Sequence, residues 1–343
     1  MKFGKEKTQR AVHGFVIEAQ KQLISTWDAP RKPVIVLAGP TAVGKSEFAL
    51  SLAKEITGEI VSADAMQVYR GMDIGTAKLP QHLRQNIPHH LIDIREIYEP
   101  FSVVDFHYEA RHCLRTIHDK GAIPIVVGGS GFYLRSLIYG PPTGPPSVIE
   151  VREKIEEELE EQGPAKMFER LAALDPEYAR TITKNDKQKI IRALEIIALT
   201  GKKVSKLPWR NRKRQQNYDF YCWFLYRPKE LLYPRIELRC DSMISSGLLE
   251  EVSMLKEKGL EQNSSASQSI GYRQALDFLA SSRTTKEYEF FVDQFKMHSR
   301  RYAKRQFTWF RNEEQEFRWV DLELCDPDLI RDRIRSEVQD CRE

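Results

Sequence analysis

The stretch Val34-Ile-Val-Leu-Ala38, followed by Gly39-Pro-Thr-Ala-Val-Gly-Lys-Ser46, decides the fold. The apolar run predicts a buried strand, and the pattern of residues 47–53 predicts a helix. The eight residues after the strand match the P-loop spacing G-x-x-x-x-G-K-[ST] in the required strand–loop–helix context. Such a loop points backbone N–H groups inward and adds the positive end of a helix dipole. The sequence therefore predicts a site for a di- or triphosphate, with a chance match as the alternative.

Polar residues near the loop are candidates for chemistry. Lys45 would supply positive charge to phosphate oxygens, and the Ser46 hydroxyl could ligate Mg²⁺. Asp64 ends a short predicted strand, where a parallel sheet presents residues to its ligand, and could act as a general base or simply cap a turn. Ser130 follows the glycines that end the next predicted strand, and could bind substrate or serve only in the turn.

Composition limits the class of protein. The 343 residues suffice for two domains, or for one large α/β domain with an insertion. No run approaches the roughly 20 apolar residues of a membrane span, and the charged N-terminus lacks a secretory signal, so we expect a cytoplasmic protein. The five cysteines are scattered, which argues against disulfides and zinc. We expect any metal to be Mg²⁺ held by oxygen atoms.

Charge is distributed unevenly along the chain. Residues 202–214 carry seven bases and no acid, and residues 296–311 carry six bases and no acid. In the second segment, helical spacing places Arg300, Lys304 and Arg311 on one stripe and aromatic residues on another that can face the core: Phe295, Tyr302 and Trp309. A basic helix of this kind can follow a phosphate backbone, which suggests a polyanionic partner.

The order of patterns predicts an α/β fold, a P-loop NTPase-like parallel sheet flanked by helices. Residues 31–140 form its first part. Gly140-Pro-Pro-Thr-Gly-Pro-Pro146 indicates a linker, and the purely helical patterns that follow predict an inserted all-helical domain at 141–216. We expect the core to resume at 217–325, a C-terminal helix at 326–343 and an N-terminal extension at 1–30.

Seven motifs in this order give the chain a family resemblance. They are G-P-T-A-V-G-K-S, S-A-D-A-M-Q-V-Y-R-G-M-D-I-G-T-A-K, V-V-G-G-S-G-F-Y, N-D-x-Q-K-I-I-R-A-L-E, R-x-x-x-M-x-x-x-G-L-x-E-E-V, Q-S-I-G-Y-R-Q and A-K-R-Q-F-T-W-F-R. Over residues 32–321 the chain resembles the tRNA dimethylallyltransferase (isopentenyltransferase, IPP transferase) family. The scattered cysteines do not match the zinc finger of eukaryotic members, so the chain is similar to the bacterial type.

The resemblance implies a reaction. The family transfers dimethylallyl from dimethylallyl diphosphate to N6 of the adenosine immediately 3′ of the anticodon, tRNA position 37, with Mg²⁺ present. The products are N6-dimethylallyladenosine and diphosphate. This reaction splits no ATP. It therefore explains why the third predicted strand ends in glycines and lacks the acid found in hydrolytic P-loop proteins. The resemblance assigns catalysis to Asp64, Lys45, Ser46 and Arg239.

The resemblance also implies binding residues. Those for the diphosphate are Gly39, Pro40, Thr41, Ala42, Val43, Gly44, Lys45, Ser46 and Arg239. Those for the tRNA anticodon stem-loop are Asp64, Ala65, Met66, Gln67, Ser130, Arg152, Gln188, Lys189, Ile190, Ile191, Arg192, Gln268, Ser269, Ile270, Gly271, Tyr272 and Arg273. We expect a monomer that takes the target base out of its stack. Ala65 departs from the family's usual Ser, and Ser46 and Ser130 from its frequent Thr.

Two other functions remain open at this point. A P-loop kinase acting on a nucleotide or small metabolite would share the phosphate-binding loop but would need ATP and a lid of arginines. A non-catalytic RNA-binding protein could use the loop only to sense a nucleotide. Comparing stabilisation by ATP with stabilisation by an allylic diphosphate would separate these functions.

Overall fold

Six parallel strands form one sheet in the computed structural model, which describes residues 31–142, 144–207, 217–313 and 316–339. The strands are β1 (Lys32–Ala38), β2 (Gly58–Ser62), β3 (His89–His90), β4 (Ile123–Gly128), β5 (Tyr218–Tyr226) and β6 (Arg318–Asp321). Their order across the sheet is β3-β2-β4-β1-β5-β6. The α/β fold class predicted from the sequence is confirmed.

The central position of β1 explains its composition. Val36 pairs with Val126 of β4 on one side and with Cys222 of β5 on the other. Residues 34–38 are fully buried, as expected for a parallel strand covered on both faces. Since parallel strands end at the same edge, the segments after β1, β2 and β4 lie side by side. This edge carries the candidate site.

Helices connect and cover the strands. They are α1 (Lys45–Ile56), α2 (Gln81–Arg84), α3 (Val103–Asp119), α4 (Gly131–Tyr139), α5 (Ile149–Leu174), α6 (Pro176–Ala179), α7 (Lys187–Thr200), α8 (Lys229–Ser245), α9 (Leu248–Glu257), α10 (Ser264–Ser267), α11 (Tyr272–Ala280), α12 (Thr285–Glu313) and α13 (Pro327–Gln339). The longest, α12, runs for 29 residues. At 1.5 Å per residue it spans about 43 Å. It passes the edge of the sheet at which β1 and β4 end.

The buried stripe of α12 differs from the aromatic stripe expected from the sequence. Phe295 is buried as expected, but Tyr302 and Trp309 are only partly buried. The core-facing residues of α12 are Phe291, Phe295, Ser299, Ala303, Gln306 and Phe310. After Phe295, the buried stripe therefore includes Ala303 and Phe310, each one residue beyond the expected aromatic. Small and polar residues at Ser299, Ala303 and Gln306 let the helix approach its neighbours closely, which an aromatic pattern alone does not reveal.

The chain divides into two compact units, Arg135–Arg214 and the remainder. In Arg135–Arg214, α5 and α7 pack together around Met167, Leu171 and Ile190, each fully buried. Helix α5 is broken at Gly163, whose φ of 81° is left-handed. Across the described ranges of both units, no helix is long and apolar enough to cross a membrane. The expected N-terminal extension, residues 1–30, lies outside the described residues.

Candidate active site

The P-loop joins β1 to α1 and is held from outside by two arginines. Arg235 Nε donates to the carbonyl oxygen of Ala42 at 3.1 Å, and Arg227 Nε donates to that of Val43 at 3.2 Å. On the inner side, Lys45 Nζ donates to the carbonyl oxygens of Gly39 and Pro40 at 2.9 and 2.7 Å. These bonds fix the curl of the loop and hold the Lys45 ammonium over it.

Gln306 of α12 links the P-loop to the turn after β4. Its Oε1 accepts from the backbone N–H of Thr41 at 2.9 Å, and its Nε2 donates to the carbonyl oxygen of Gly129 at 3.0 Å. One inward amide of the P-loop is therefore bound to a side chain of the protein itself. The sequence argument did not single out Gln306, although it lies in the A-K-R-Q-F-T-W-F-R stretch that contributed to the resemblance.

The glycines after β4 provide space for α12. A Cβ on Gly129 would lie 2.1 Å from Gln306 Nε2, and one on Gly131 would lie 2.2 Å from the Trp309 ring. Neither distance is sterically possible, so a side chain at Gly129 would displace the Gln306 amide and one at Gly131 would push against the Trp309 ring. The glycine-ended strand thus has a packing cause in addition to its place at the ligand edge.

Two adjoining cavities of about 330 and 120 Å³ lie at this edge. Both are lined by the same five residues: Thr41, Asp64, Thr76, Arg239 and Tyr302. Lys45 and Ser46 line the smaller cavity, next to the P-loop. Of the residues assigned to catalysis, Asp64 and Arg239 therefore face both spaces, and Lys45 and Ser46 face the phosphate side.

Asp64 makes a turn and also lines the site. Its Oδ1 accepts from the backbone N–H of Met66 at 2.8 Å, with a longer contact of 3.4 Å to that of Gln67. The turn-capping interpretation is therefore correct for one oxygen. Because both bonds use Oδ1, the second carboxylate oxygen is not needed for the turn.

Buried charges surround the smaller cavity. Burial, reinforced by the charge of Arg239 and opposed by that of Asp64, lowers the pKa of Lys45 to about 7. Burial also lowers the pKa of Arg239, and Asp64 opposes this effect. Burial and the charge of Asp64 raise the pKa of Tyr302 to about 12, so its hydroxyl keeps its proton. An anion placed between Lys45 and Arg239 would meet two cations that have little water around them.

Most residues that the resemblance assigned to tRNA in this unit line the larger cavity. They are Asp64, Ala65, Met66, Ser130, Gln268, Ser269, Ile270 and Tyr272. Gln67 lines the smaller cavity. Gly271 is buried at the start of α11, and Arg273 contacts His298 at 3.4 Å. Two stretches about 200 residues apart in the chain, 64–67 and 268–273, thus meet at one site.

The two arginines assigned to tRNA in Arg135–Arg214 are bound to polar side chains of the same unit. Arg152 Nη2 donates to Gln188 Oε1 at 2.7 Å, and Arg192 Nη1 donates to Glu195 Oε2 at 2.7 Å. Ile190 and Ile191 are 0% and 4% exposed. Their side chains therefore form the core of this unit instead of a contact surface, because the pattern that makes α7 amphipathic turns them inward.

Ser46 is the P-loop residue that could hold Mg²⁺. Its hydroxyl lines the smaller cavity together with the Asp64 carboxylate, and oxygen donors are those that Mg²⁺ prefers. Among the described residues there is no cluster of three or more His, Cys, Asp or Glu side chains that could hold a metal by itself. A magnesium ion here would take its remaining ligands from diphosphate oxygens and water.

Together, fold and site define a P-loop-type α/β protein whose phosphate-binding loop opens into a second, larger cavity. The family model for IPP transferase matches residues 67–313. The tRNA dimethylallyltransferase of Protochlamydia amoebophila is 56% identical over 334 residues, 97% of each chain. The chain belongs to the IPP transferase family.

Solved structures of related transferases have the same fold as this chain. The tRNA isopentenylpyrophosphate transferase of Bacillus halodurans matches with a TM-score of 0.66 and 35% identity, covering 91% of this chain and 98% of that one. A eukaryotic dimethylallyltransferase acting on tRNA matches with a TM-score of 0.68 and 32% identity, covering 84% and 74%. Both the fold and the family identified from the motifs are confirmed.

Proposed function

We propose that the protein transfers the dimethylallyl group of dimethylallyl diphosphate to N6 of the adenosine immediately 3′ of the anticodon, tRNA position 37. One observation carries this proposal: Asp64 and Arg239 line both the cavity at the P-loop and the larger cavity beside it. A diphosphate in the first space would therefore have its organic end in the second, where a base can reach it. The family membership and the named relatives support the same reaction.

The P-loop side is suited to a leaving diphosphate. In the transfer, the N6 nitrogen attacks the allylic carbon, a carbon–nitrogen bond forms, and the carbon–oxygen bond breaks with its electron pair going to the diphosphate. Negative charge grows on the bridging oxygen as this happens. Lys45 and Arg239, both deep in the site, would stabilise that charge. Magnesium bound at Ser46 would neutralise part of the diphosphate charge.

Asp64 is suited to receive the proton. An exocyclic amine that forms a new bond to carbon must lose a proton, and a carboxylate within hydrogen-bond reach accepts it. Asp64 lines both cavities, and its Oδ1 is fixed by the amide of Met66. The same bond restrains the carboxyl group and leaves its second oxygen free of the turn.

The tRNA would be held by more than the cavity. An adenosine in the anticodon loop must leave its stack to enter a space of this kind. Basic residues on α12 supply sites for the phosphates: Arg301, Lys304 and Arg305 line a depression with Trp309. We also propose that the Arg135–Arg214 unit contacts the anticodon stem, that the protein acts as a monomer, and that it meets its tRNA in the cytoplasm.

Nucleoside analysis of a labelled reaction tests the proposal. The protein is incubated with radiolabelled dimethylallyl diphosphate, Mg²⁺ and an unmodified tRNA that reads codons beginning with U. Label is expected on the adenosine next to the anticodon, and with Asp64→Asn the label should nearly disappear. Absence of label with the unaltered protein, together with ATP consumption on a small acceptor, would contradict the proposal in favour of a kinase.

A further inference from the structure

The loop of residues 66–78 forms one wall of the site. It has neither helix nor extended strand, yet Met66, Gly75 and Thr76 line the larger cavity and Gln67 lines the smaller one. A wall without regular structure depends on side chains for its position. The question is which residues place this loop against the rest of the cavity.

A buried carboxylate on α9 binds the tip of the loop. Glu251 is 5% exposed. Its Oε2 accepts from the backbone N–H groups of Asp73 and Ile74 at 3.0 and 2.7 Å, and its Oε1 from that of Gly75 at 3.1 Å. A fourth donor, the Tyr272 hydroxyl, reaches Oε1 at 2.5 Å. Three successive amides around one anion make a nest in which the charge is solvated by backbone.

Tyr272 is the second half of this anchor. Its side chain is fully buried at the start of α11, directly after the 268–271 segment of the opposite wall. Burial and the charge of Glu251 raise the pKa of the Tyr272 phenol, which therefore remains a hydrogen-bond donor. A Cβ on Gly75 would lie 2.5 Å from the Tyr272 ring, so the loop packs directly against the hydroxyl end of this side chain.

The shape of the loop has a separate support. The buried ammonium of Lys78 donates to the carbonyl oxygen of Tyr69 at 2.9 Å, to Asp73 Oδ1 at 2.6 Å and to Asp93 Oδ1 at 2.7 Å. These partners belong to the loop and to its neighbouring segment. Lys78 thus holds the loop's own conformation, whereas Glu251 and Tyr272 hold that loop against α9 and α11.

We propose that Glu251 and Tyr272 are positioning residues that set the separation of the two cavity walls, the 66–78 loop and the 268–272 segment, and so align the target adenine for attack. The inference rests on the proposed function, because it concerns the base acceptor. Neither residue bonds to the P-loop, whose curl is held by Lys45, Arg227 and Arg235. Binding of the prenyl donor is therefore expected to depend on the anchor much less than use of the tRNA does.

Steady-state kinetics with Tyr272→Phe tests the inference, with Glu251→Gln as the stronger change. Tyr272→Phe removes one hydroxyl and keeps the ring under Gly75. We expect kcat/KM for tRNA to fall about tenfold, the loss of one hydrogen bond to a charged group, with the Kd for dimethylallyl diphosphate unchanged within about twofold. Glu251→Gln replaces one carboxylate oxygen by an NH₂ group, which cannot accept a hydrogen bond from the surrounding backbone N–H groups. We therefore expect a larger fall in kcat/KM for tRNA.

A matched control separates positioning from general destabilisation. Glu59 is also a buried glutamate, bound to His90 at 2.7 Å at the other end of β2. Glu59→Gln is expected to lower the melting temperature without changing kcat/KM for tRNA. In a double-mutant cycle, Gln67→Ala should cost less in the Tyr272→Phe background than in the unaltered protein, because Tyr272 acts through the loop that carries Gln67.

The outcomes are distinct. An unaltered protein that makes no prenylated tRNA would overturn the proposed function, and the inference with it. An active protein whose Tyr272→Phe variant keeps its kcat/KM for tRNA, or loses donor affinity in parallel, would overturn the inference alone. Equal losses in Glu59→Gln and Tyr272→Phe would do the same, since they would reduce the anchor to ordinary stability.

Discussion

Side chains assigned to the substrate behave differently in the two units. At the sheet edge, Asp64, Lys45 and Arg239 line a cavity, and burial makes the charges of Lys45 and Arg239 costly. In Arg135–Arg214, Arg152 and Arg192 are satisfied by neighbouring polar groups of the same unit. A motif defined by backbone geometry also fixes where its side chains point. A charge pattern on a helix does not show whether a charged side chain binds another molecule or a polar group of its own unit.

The largest effect is expected from Asp64→Asn. The amide keeps the acceptor that Met66 uses and removes the proton-accepting charge. We expect kcat to fall about 10³-fold, the usual contribution of a general base, with tRNA affinity nearly unchanged. Single-turnover rates and filter binding measure the two quantities. Normal single-turnover chemistry with strongly weakened tRNA binding would contradict the role given to Asp64.

The second unit should respond through stability. Ile190 is fully buried, so Ile190→Ala leaves a cavity and is expected to destabilise its unit by about 3 kcal/mol. Affinity for dimethylallyl diphosphate should not change, because the residues of the donor site lie in the other unit. Lys189→Ala, a neighbouring exposed position, is the control and should leave the melting curve unaltered. Thermal unfolding followed by circular dichroism makes the comparison.

The pH dependence of diphosphate binding tests the buried charges of the first unit. Lys45 has a pKa of about 7 in the free protein, and a bound anion raises it. Affinity should therefore fall about tenfold per unit as the pH rises above 7, because binding then requires proton uptake by Lys45. Calorimetry in buffers of different ionisation enthalpy measures the protons taken up. Lys45→Arg, whose charge does not titrate, should give a flatter profile.

The smallest effect concerns two lysines on one helix. Lys296 is paired with Asp241 at 2.7 Å, whereas Lys304 lines the basic depression and, among the described residues, makes no ion pair. Lys304→Ala is expected to weaken tRNA binding a few-fold and to reduce the salt slope by about one. Lys296→Ala should leave the slope unchanged. Equal slopes for both variants would show that pairing does not predict which charges meet the tRNA.

Local patterns predicted the parallel sheet, the P-loop and the position of Asp64 because each depends on neighbouring residues. The bond between Gln306 and Thr41 joins residues 265 positions apart, and no periodicity reports such a contact. The role of Glu251 could not be predicted either. In the sequence it is one acid among others on a helix, and only the tertiary structure brings three backbone amides to it. Ile190 was assigned to tRNA by motif although its helical period already placed it inward.

The turn after β4 has a further consequence, for water. In P-loop proteins that split nucleotides, an acid near this place holds Mg²⁺ and helps order the reacting phosphate. Here Gln306 and Trp309 occupy the space beside Gly129 and Gly131. An allylic diphosphate bound at the loop would have the Gln306 amide beside it at this place, and an amide does not activate water as a carboxylate does. The carboxylate that lines this cavity is Asp64, so loss of the reactive donor to water before the nucleic acid arrives should depend on that residue.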